Sequence, residues 1–294
     1  MTVPDANTFE WGQRTYVMGI INITPDSFSG DGVLESGTER AVAQARQFIS
    51  DGADILDIGG ESTRPGSMPV TIDEELARVI PAIRAIRTVA GGVPISVDTY
   101  RAAVAAAALD AGANWVNDVW GLRMDPGMAA LVAERGCPVV IMHNRSKPKD
   151  VTQEQHLGGR YVGVRYDELI DDIRRELTEQ MAIARTAGVR EEQIILDPGI
   201  GFGKTVEQNL ELIDRLGELR GLGRPLLIGP SRKSFIGYRL DLPPDERLEG
   251  TAAAVAIGID RGADIVRVHD VRAIARVARM TDHIVRRGAF ESDS

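Results

Sequence analysis

The chain has one cysteine, Cys137, in 294 residues. No intramolecular disulfide can form, and Cys-rich zinc sites are excluded. A lone thiol fits a reducing compartment, so the cytoplasm is the expected location. Lysine is nearly as scarce. Only Lys147, Lys149, Lys204 and Lys233 stand beside 30 arginines. Genome composition accounts for the ratio, but the places where so few lysines fall carry information. No apolar run approaches the ~18 residues of a membrane span. The segment M-T-V-P-D-A-N-T-F-E has no basic start followed by an apolar stretch, so no signal peptide is expected. Positive charge is short as well: 34 Lys and Arg face 43 Asp and Glu, a net charge of −9. An acidic chain without a basic block is a poor nucleic-acid binder, and small-molecule partners are expected instead.

What is present is a repeat of β-branched runs and amphipathic stretches. Strands are expected at Tyr16–Ile23, Asp54–Ile58, Pro94–Val97, Trp115–Val119, Pro138–Met142, Gln193–Leu196, Pro225–Ile228 and Asp264–Val268. Their near-continuous hydrophobicity suits strands covered on both faces. Helical patterns lie between them, at Thr38–Ser50, Asp73–Val89, Arg101–Asp110 and Asp167–Thr186 among others. G-A-D or G-A-N precedes three strands, at Gly52, Gly112 and Gly262, where a left-handed glycine would end a helix. Eight βα units close a (β/α)₈ TIM barrel, an α/β fold of about 250 residues. An open doubly wound sheet is the runner-up, weakened by the lack of G-x-G-x-x-G after an early strand. The expected division is an N-terminal extension over 1–15, with Phe9 and Trp11 capping the barrel bottom, and one barrel over 16–290. The longest non-periodic stretch, Asn144–Val164, reads as a solvated loop or as a phosphate contact through Lys147, Lys149 or Arg160.

Polar residues gather at the C-terminal ends of these strands. They are Asn22; G-G-E-S-T-R-P-G at 59–66; Asp98; Asn117 and Asp118; His143; D-P-G-I-G-F-G-K at 197–204; G-P-S-R-K-S at 229–234; and Arg267, His269 and Asp270. Each alone has a plain explanation as a cap or a turn. In a barrel they converge on one mouth, where active sites sit. Arg64, Arg232, Lys233, Arg267 and His269 would make that mouth cationic. Carboxylates and amides suit a heterocycle with N–H donors and ring acceptors. Arg and His suit a phosphate or pyrophosphate. Asn22 beside Asp98 offers hard oxygen ligands to Mg²⁺. No P-loop is present.

In these motifs the sequence resembles the dihydropteroate synthases. The resemblance runs through T-P-D-S-F-S, G-G-E-S-T-R-P-G, S-V-D-T, N-D-V-W-G, D-P-G-I-G-F-G-K, S-R-K-S-F-I-G and R-V-H-D-V. It implies a TIM barrel, commonly a homodimer using Mg²⁺. The reaction it implies joins 6-hydroxymethyl-7,8-dihydropterin pyrophosphate to p-aminobenzoate, giving dihydropteroate and pyrophosphate in folate synthesis. It also implies residue roles. Asp98, Asn117, Asp197 and Lys233 would hold the pterin, with Met142 and Phe202 lining the pocket. Asn22, Arg267 and His269 would face the pyrophosphate with Thr63 and Arg64, and Asn22 the metal. Thr63, Arg64, Pro65, Phe202, Lys233 and Ser234 would hold p-aminobenzoate, where sulfonamides compete. Catalysis would rest on Asp98, Asp197, Lys233, Arg267 and His269. Loops Ser27–Gly32 and Thr63–Gly66 would close over the ligand. Two departures stand out. S-F-S-G-D-G replaces the family's S-F-S-D-G-G, which leaves Asp31 without a role, and Asn144 and Arg145 follow His143. A corrinoid-type pterin methyltransferase and a silent pterin-binding paralogue are the alternatives.

Overall fold

A computed structural model describes residues 9–23, 34–62, 70–147 and 150–287. Eight parallel strands form one sheet: β1 (Tyr16–Asn22), β2 (Ile55–Gly59), β3 (Ile95–Asp98), β4 (Trp115–Asp118), β5 (Val139–Met142), β8 (Ile194–Asp197), β9 (Leu227–Ile228) and β10 (Ile265–Val268). Their order is β8-β5-β4-β3-β2-β1-β10-β9. A parallel bridge between Leu196 and Leu226 joins the two edges and rounds the sheet into a barrel. Helices α1 (Leu34–Ser50), α2 (Ile72–Arg87), α3 (Ala102–Ala111), α4 (Gly127–Arg135), α5 (Leu169–Thr186), α6 (Val206–Asp214), α7 (Ser234–Leu240), α8 (Leu248–Asp260) and α9 (Val271–Val285) follow the strands in turn, α7 and α8 both lying between β9 and β10.

The expected strands all form, with β9 shorter than read. Pro225 has no N–H to give the ladder. The N–H of Leu226 goes instead to the Asp264 side chain, at 3.0 Å.

That contact belongs to a repeated device. The G-A-D and G-A-N glycines do take positive φ, 99°, 115° and 98° at Gly52, Gly112 and Gly262. The acidic or amide residue that follows does more than lead into the next strand. Asp54 accepts from the N–H of Val17 at 2.8 Å, Asn114 from Ile95 at 3.0 Å, and Asp264 from Leu226 at 3.0 Å. Each satisfies a donor of the neighbouring strand at the barrel's lower rim, where a buried orphan would be costly.

Period-two alternation sorts each strand into two faces. Val17, Leu56, Val97, Val116, Ile141, Leu196 and Val266 join the large core between sheet and helices. Met18, Ile55, Trp115, Val140, Ile195, Leu227 and Ile265 fill the lower barrel interior with Phe9 and Tyr16. Phe9 meets Tyr16 and Trp115 edge-on at 4.6 and 5.2 Å between ring centres, and Trp11 stacks on it. Such pairs contribute about 0.5–1.5 kcal/mol each beyond area burial.

The 144–164 stretch is not merely a loop. It carries an antiparallel hairpin of β6 (Val151–Glu154) and β7 (Gly158–Tyr161). Its turn is fastened from outside: Tyr238 Oη donates to Gly158 O and Arg247 Nη2 to Leu157 O, both at 3.0 Å. The guanidinium of Arg160 lies 4.4 Å from the ring centre of Tyr238.

Candidate active site

Two residues further along six of the strands, the barrel interior turns mostly polar, with Met142 the apolar exception. Asp57 follows Ile55, Asp98 follows Ser96, Asn117 follows Trp115, Met142 follows Val140, Asp197 follows Ile195 and Arg267 follows Ile265. This second layer has Arg267 at its centre. Its Nε donates to Asp57 Oδ2 at 2.6 Å and its Nη2 to Asp98 Oδ2 at 2.6 Å. Asn117 Nδ2 donates to the same Asp57 oxygen at 3.2 Å. The other oxygen, Asp57 Oδ1, is buried with no hydrogen-bond partner among the described residues. Asp57 was not read from the sequence. It sits inside an apolar run, and its only signal was its phase, two places from Ile55 and two from Gly59.

Burial dominates the electrostatics. It pushes the Asp98 carboxyl up to about 7, against the nearby Arg267 and with the help of Asp57. Asp197 is pushed up to about 6 by burial, opposed by the Gly199 N–H that donates to its Oδ1 at 2.7 Å. Burial also pulls Arg267 downward, but Asp57 and Asp98 outweigh it and hold the guanidinium above its ordinary value. The cationic mouth expected from the sequence is therefore charge-balanced among the described residues. Arg267 is committed to two carboxylates. Arg232 is committed to Asp270, through Nε at 2.9 Å and Nη2 at 2.5 Å.

Lys233 approaches from the turn before α7. Its Nζ lies 3.9 Å above the centre of the Phe202 ring. Gly201 makes the approach possible, since a Cβ there would fall 2.7 Å from Lys233 Cδ. Phe202 joins Met142 and Val119 in a small apolar cluster, with Tyr100 and Trp120 half-buried against it. Ser234 follows Lys233 as the first residue of α7. The turn itself is strained: Arg232 has φ 56°, rare for a residue with a side chain. It is held by Thr251 Oγ1, which accepts from the Arg232 N–H at 3.0 Å, and by Arg247, which donates to the Arg232 carbonyl.

His269 sits at the end of β10. Its Nδ1 is 3.0 Å from Ser231 Oγ, and its N–H donates to that oxygen at 3.1 Å. Ser231 thus ties two strand ends together, a role the sequence did not reveal. Asn22 ends β1 and faces Asp98 across Gly59. A Cβ on Gly59 would lie 3.8 Å from Asn22 Oδ1 and 3.6 Å from Asp98 Oδ2. Asp118 points away from the barrel interior and accepts from the N–H groups of Trp120 and Leu122, both at 2.8 Å. Thr63, Arg64, Pro65, Asp31 and Lys149 lie outside the described residues. Arg101 pairs with Glu61 and Glu75 and donates to Val70 O. Lys147 lines a cavity of about 670 Å³ with Trp120, Arg123, Arg145 and Arg165.

Among the described residues, no group of three or more His, Cys, Asp or Glu side chains converges to hold a metal. No helix there is long and apolar enough to cross a membrane.

The arrangement brings together buried amide and carboxylate groups, an aromatic–ammonium pair to one side and Arg and His at the rim, a set whose chemistry can accommodate a flat heterocycle. Residues 18–269 match the family of pterin binding enzymes. The chain is 50% identical to the dihydropteroate synthase of Bacillus subtilis over 98% of its length and 94% of that protein's. It is 42% identical to the Escherichia coli enzyme, over 91% and 90%. A dihydropteroate synthase structure from Clostridium difficile, determined in the presence of pteroic acid, superposes with a TM-score of 0.86 at 47% identity, covering 95% of this chain and 99% of that one. The Xanthomonas albilineans enzyme in complex with 7,8-dihydropteroate superposes at 0.79 and 38% identity, covering 92% and 94%. By family match, identity over nearly the whole chain and barrel geometry, the chain belongs to the dihydropteroate synthases among the pterin-binding enzymes.

Proposed function

We propose that the second barrel layer is where the pterin pyrophosphate meets p-aminobenzoate, with these residues in the following roles. Asp98, Asn117, Asp197 and Lys233 hold the pterin edge, and Met142 and Phe202 hold its face. Arg267 and His269 receive the pyrophosphate, with Asn22, Thr63 and Arg64. Thr63, Arg64, Pro65, Phe202, Lys233 and Ser234 seat p-aminobenzoate. The observation that carries this reading is the single layer of Asp57, Asp98, Asn117, Met142, Asp197 and Arg267. Six strands contribute to it, and Arg267 bridges Asp57 and Asp98 at its centre.

The chemistry follows from that charge pattern. The bond between the pterin methylene and the pyrophosphate oxygen breaks, and its electron pair leaves with pyrophosphate. Arg267 and His269 stand where negative charge develops. Electron deficiency grows on the methylene, and the Asp98 and Asp197 carboxylates are the anions beside it. The p-aminobenzoate lone pair forms the C–N bond, and the amine proton passes to solvent. No strong base is needed once the carbon is electron-poor, so catalysis is mostly positioning and electrostatics.

The donor set suits Mg²⁺ in one way only. An amide oxygen at Asn22, with no metal-holding carboxylate cluster among the described residues, fits an ion that keeps its waters and binds substrate phosphate oxygens. Asn22 would hold it, and it would supply neutralising charge to the leaving group. We also read residues 16–290 as one barrel with a 1–15 extension, located in the cytoplasm as the lone buried thiol of Cys137 suits. A homodimer is supported by exposed apolar side chains on adjacent helices, Ile257 on α8 and Met280 and Ile284 on α9, which a second copy would cover. Light scattering of the purified chain tests that.

The decisive assay supplies the pterin pyrophosphate, p-aminobenzoate and Mg²⁺ and looks for dihydropteroate. Product is expected. Tight pterin binding without product would point to a silent paralogue, and methyl transfer from methyltetrahydrofolate to the other alternative.

A further inference from the structure

The mouth contains a buried cation that takes no part in the chemistry above. Lys204 ends the D-P-G-I-G-F-G-K segment and is only 2% exposed. Its Nζ contacts three acceptors: His143 Nδ1 at 3.0 Å, Gly199 O at 3.0 Å and Phe202 O at 3.2 Å. Burial pulls the Lys204 ammonium down to about 7, and in that form its three N–H donors are all used. The Glu176 carboxylate, held against burial well below its ordinary range by His143 and Arg145, can only accept, and that fixes the neighbour. His143 accepts at Nδ1, so its own proton sits on Nε2, 3.0 Å from Glu176 Oε2. Burial and then the Lys204 charge hold His143 neutral, with its pKa down to about 3. Glu176, on α5, is fastened in turn by Arg145. The result is one chain of contacts from α5, through the end of β5, to the loop after β8.

That loop has no slack. The Gly199 N–H donates to Asp197 Oδ1, while its carbonyl accepts from Lys204. Gly201 N–H donates to Asn209 Oδ1 at 2.6 Å, and Gly203 O accepts from Tyr166 Oη at 3.0 Å. Thr205 caps α6 immediately afterwards. A Cβ on Gly199 would lie 1.9 Å from the His143 carbonyl oxygen, and one on Gly203 2.5 Å from Arg145 backbone. Within this frame the Phe202 carbonyl is held by Lys204 and its ring lies under Lys233. A buried charge kept only for stability would be a poor choice, since apolar replacements of buried ionic groups are often neutral or stabilising.

We propose that Lys204, oriented by His143 and Glu176, is a positioning residue that sets the p-aminobenzoate seat by locking Phe202 beneath Lys233. This rests on the placement of Phe202 and Lys233 in that pocket given above. Lys204 itself touches no substrate.

The test is a double-mutant cycle on the full chain, with steady-state kinetics varied in each substrate and thermal melts in parallel. Lys204→Met keeps an unbranched side chain one atom shorter and removes all three donors. It is expected to raise KM for p-aminobenzoate about tenfold while KM for the pterin pyrophosphate stays within about twofold. On a Phe202→Ala background the same change is expected to have little further effect on the p-aminobenzoate KM, because the two act as one unit. Glu176→Gln removes the charge but keeps an acceptor, and should shift the same KM by about threefold. If Lys204→Met does not fold, Glu176→Gln with and without Phe202→Ala carries the cycle. A folded Lys204→Met with wild-type KM for p-aminobenzoate overturns the proposal. So does a full, additive penalty on the Phe202→Ala background, or a fall in kcat alone with both KM values unchanged. Wild-type p-aminobenzoate KM in Phe202→Ala alone would instead overturn the pocket placement, and the role of Lys204 with it.

Discussion

The same strands build two unlike layers two residues apart. Below, Ile55, Trp115, Val140, Ile195 and Ile265 pack with Phe9 into an apolar plug. Carboxylates at the lower rim, Asp54 and Asp264, end on backbone N–H groups of neighbouring strands. Above, Asp57, Asp98 and Asp197 are buried among one another with one arginine between two of them, and burial raises Asp98 and Asp197 toward neutrality. The lower carboxylates complete the backbone. The upper ones are held in a costly state, as suits the ligand layer proposed above. On that reading the barrel separates holding its shape from doing its work along six of its strands.

That separation is open to direct attack. Arg267→Met should be the most damaging change, because it leaves Asp57 and Asp98 without their shared cation. Breaking such a buried pair costs about 3–5 kcal/mol. Both the denaturation midpoint and the turnover should fall, and a variant with wild-type turnover would contradict the layer's role. Trp115→Ala should cost a similar ~3–5 kcal/mol through the cavity it opens, yet leave kcat/KM near wild type below its lowered melting temperature. A large kinetic defect in that variant would blur the two layers. Lys233→Ala should do the reverse: a loss of about a hundredfold or more in kcat/KM with an unchanged melt.

Asp98 gives the comparison a pH axis. In the role proposed above its carboxylate form faces the electron-poor methylene, so kcat/KM for the pterin substrate should fall as pH drops below about 7. Stability should move the other way. Between about pH 4, the ordinary value, and the raised folded value, the folded chain binds a proton that the unfolded chain has lost. Stability therefore falls as pH climbs through that window. Asp98→Asn should flatten both curves, and a rate limb that survives the substitution belongs to another group. The smallest effect is expected at the lower rim. Asp54→Ala should cost about 1–2 kcal/mol by orphaning the Val17 N–H, with no change in kinetics.

Much of the site was readable because barrel topology turns sequence position into spatial position. Asp98, Asn117, Asp197 and Arg267 each end a strand, and eight strand ends share one mouth. The hidden residues are those whose role depends on a partner far along the chain. Asp57 lies inside an apolar run, and its contacts with Arg267, 210 residues away, and Asn117, 60 residues away, give it a role. His143 and Lys204 were visible as motif residues, but their link to each other and to Glu176 was not. The β6–β7 hairpin was missed for a local reason. Glycines in G-G-R-Y give no strand signal, and Tyr238 and Arg247 secure its turn from a distance.

Strand and helix alternation, turn glycines and strand-end chemistry are local or periodic properties. The sequence alone therefore determined the eight-unit barrel and the chemical class of its mouth. The protonation and pairing of that mouth were decided only in the folded barrel. Burial makes Asp98 and Asp197 reluctant anions, and non-local contacts spend Arg232 on Asp270 and Arg267 on two aspartates. Desolvation and long-range pairing exist only once distant segments meet, so a sequence that names the charged groups still leaves open how each is paired.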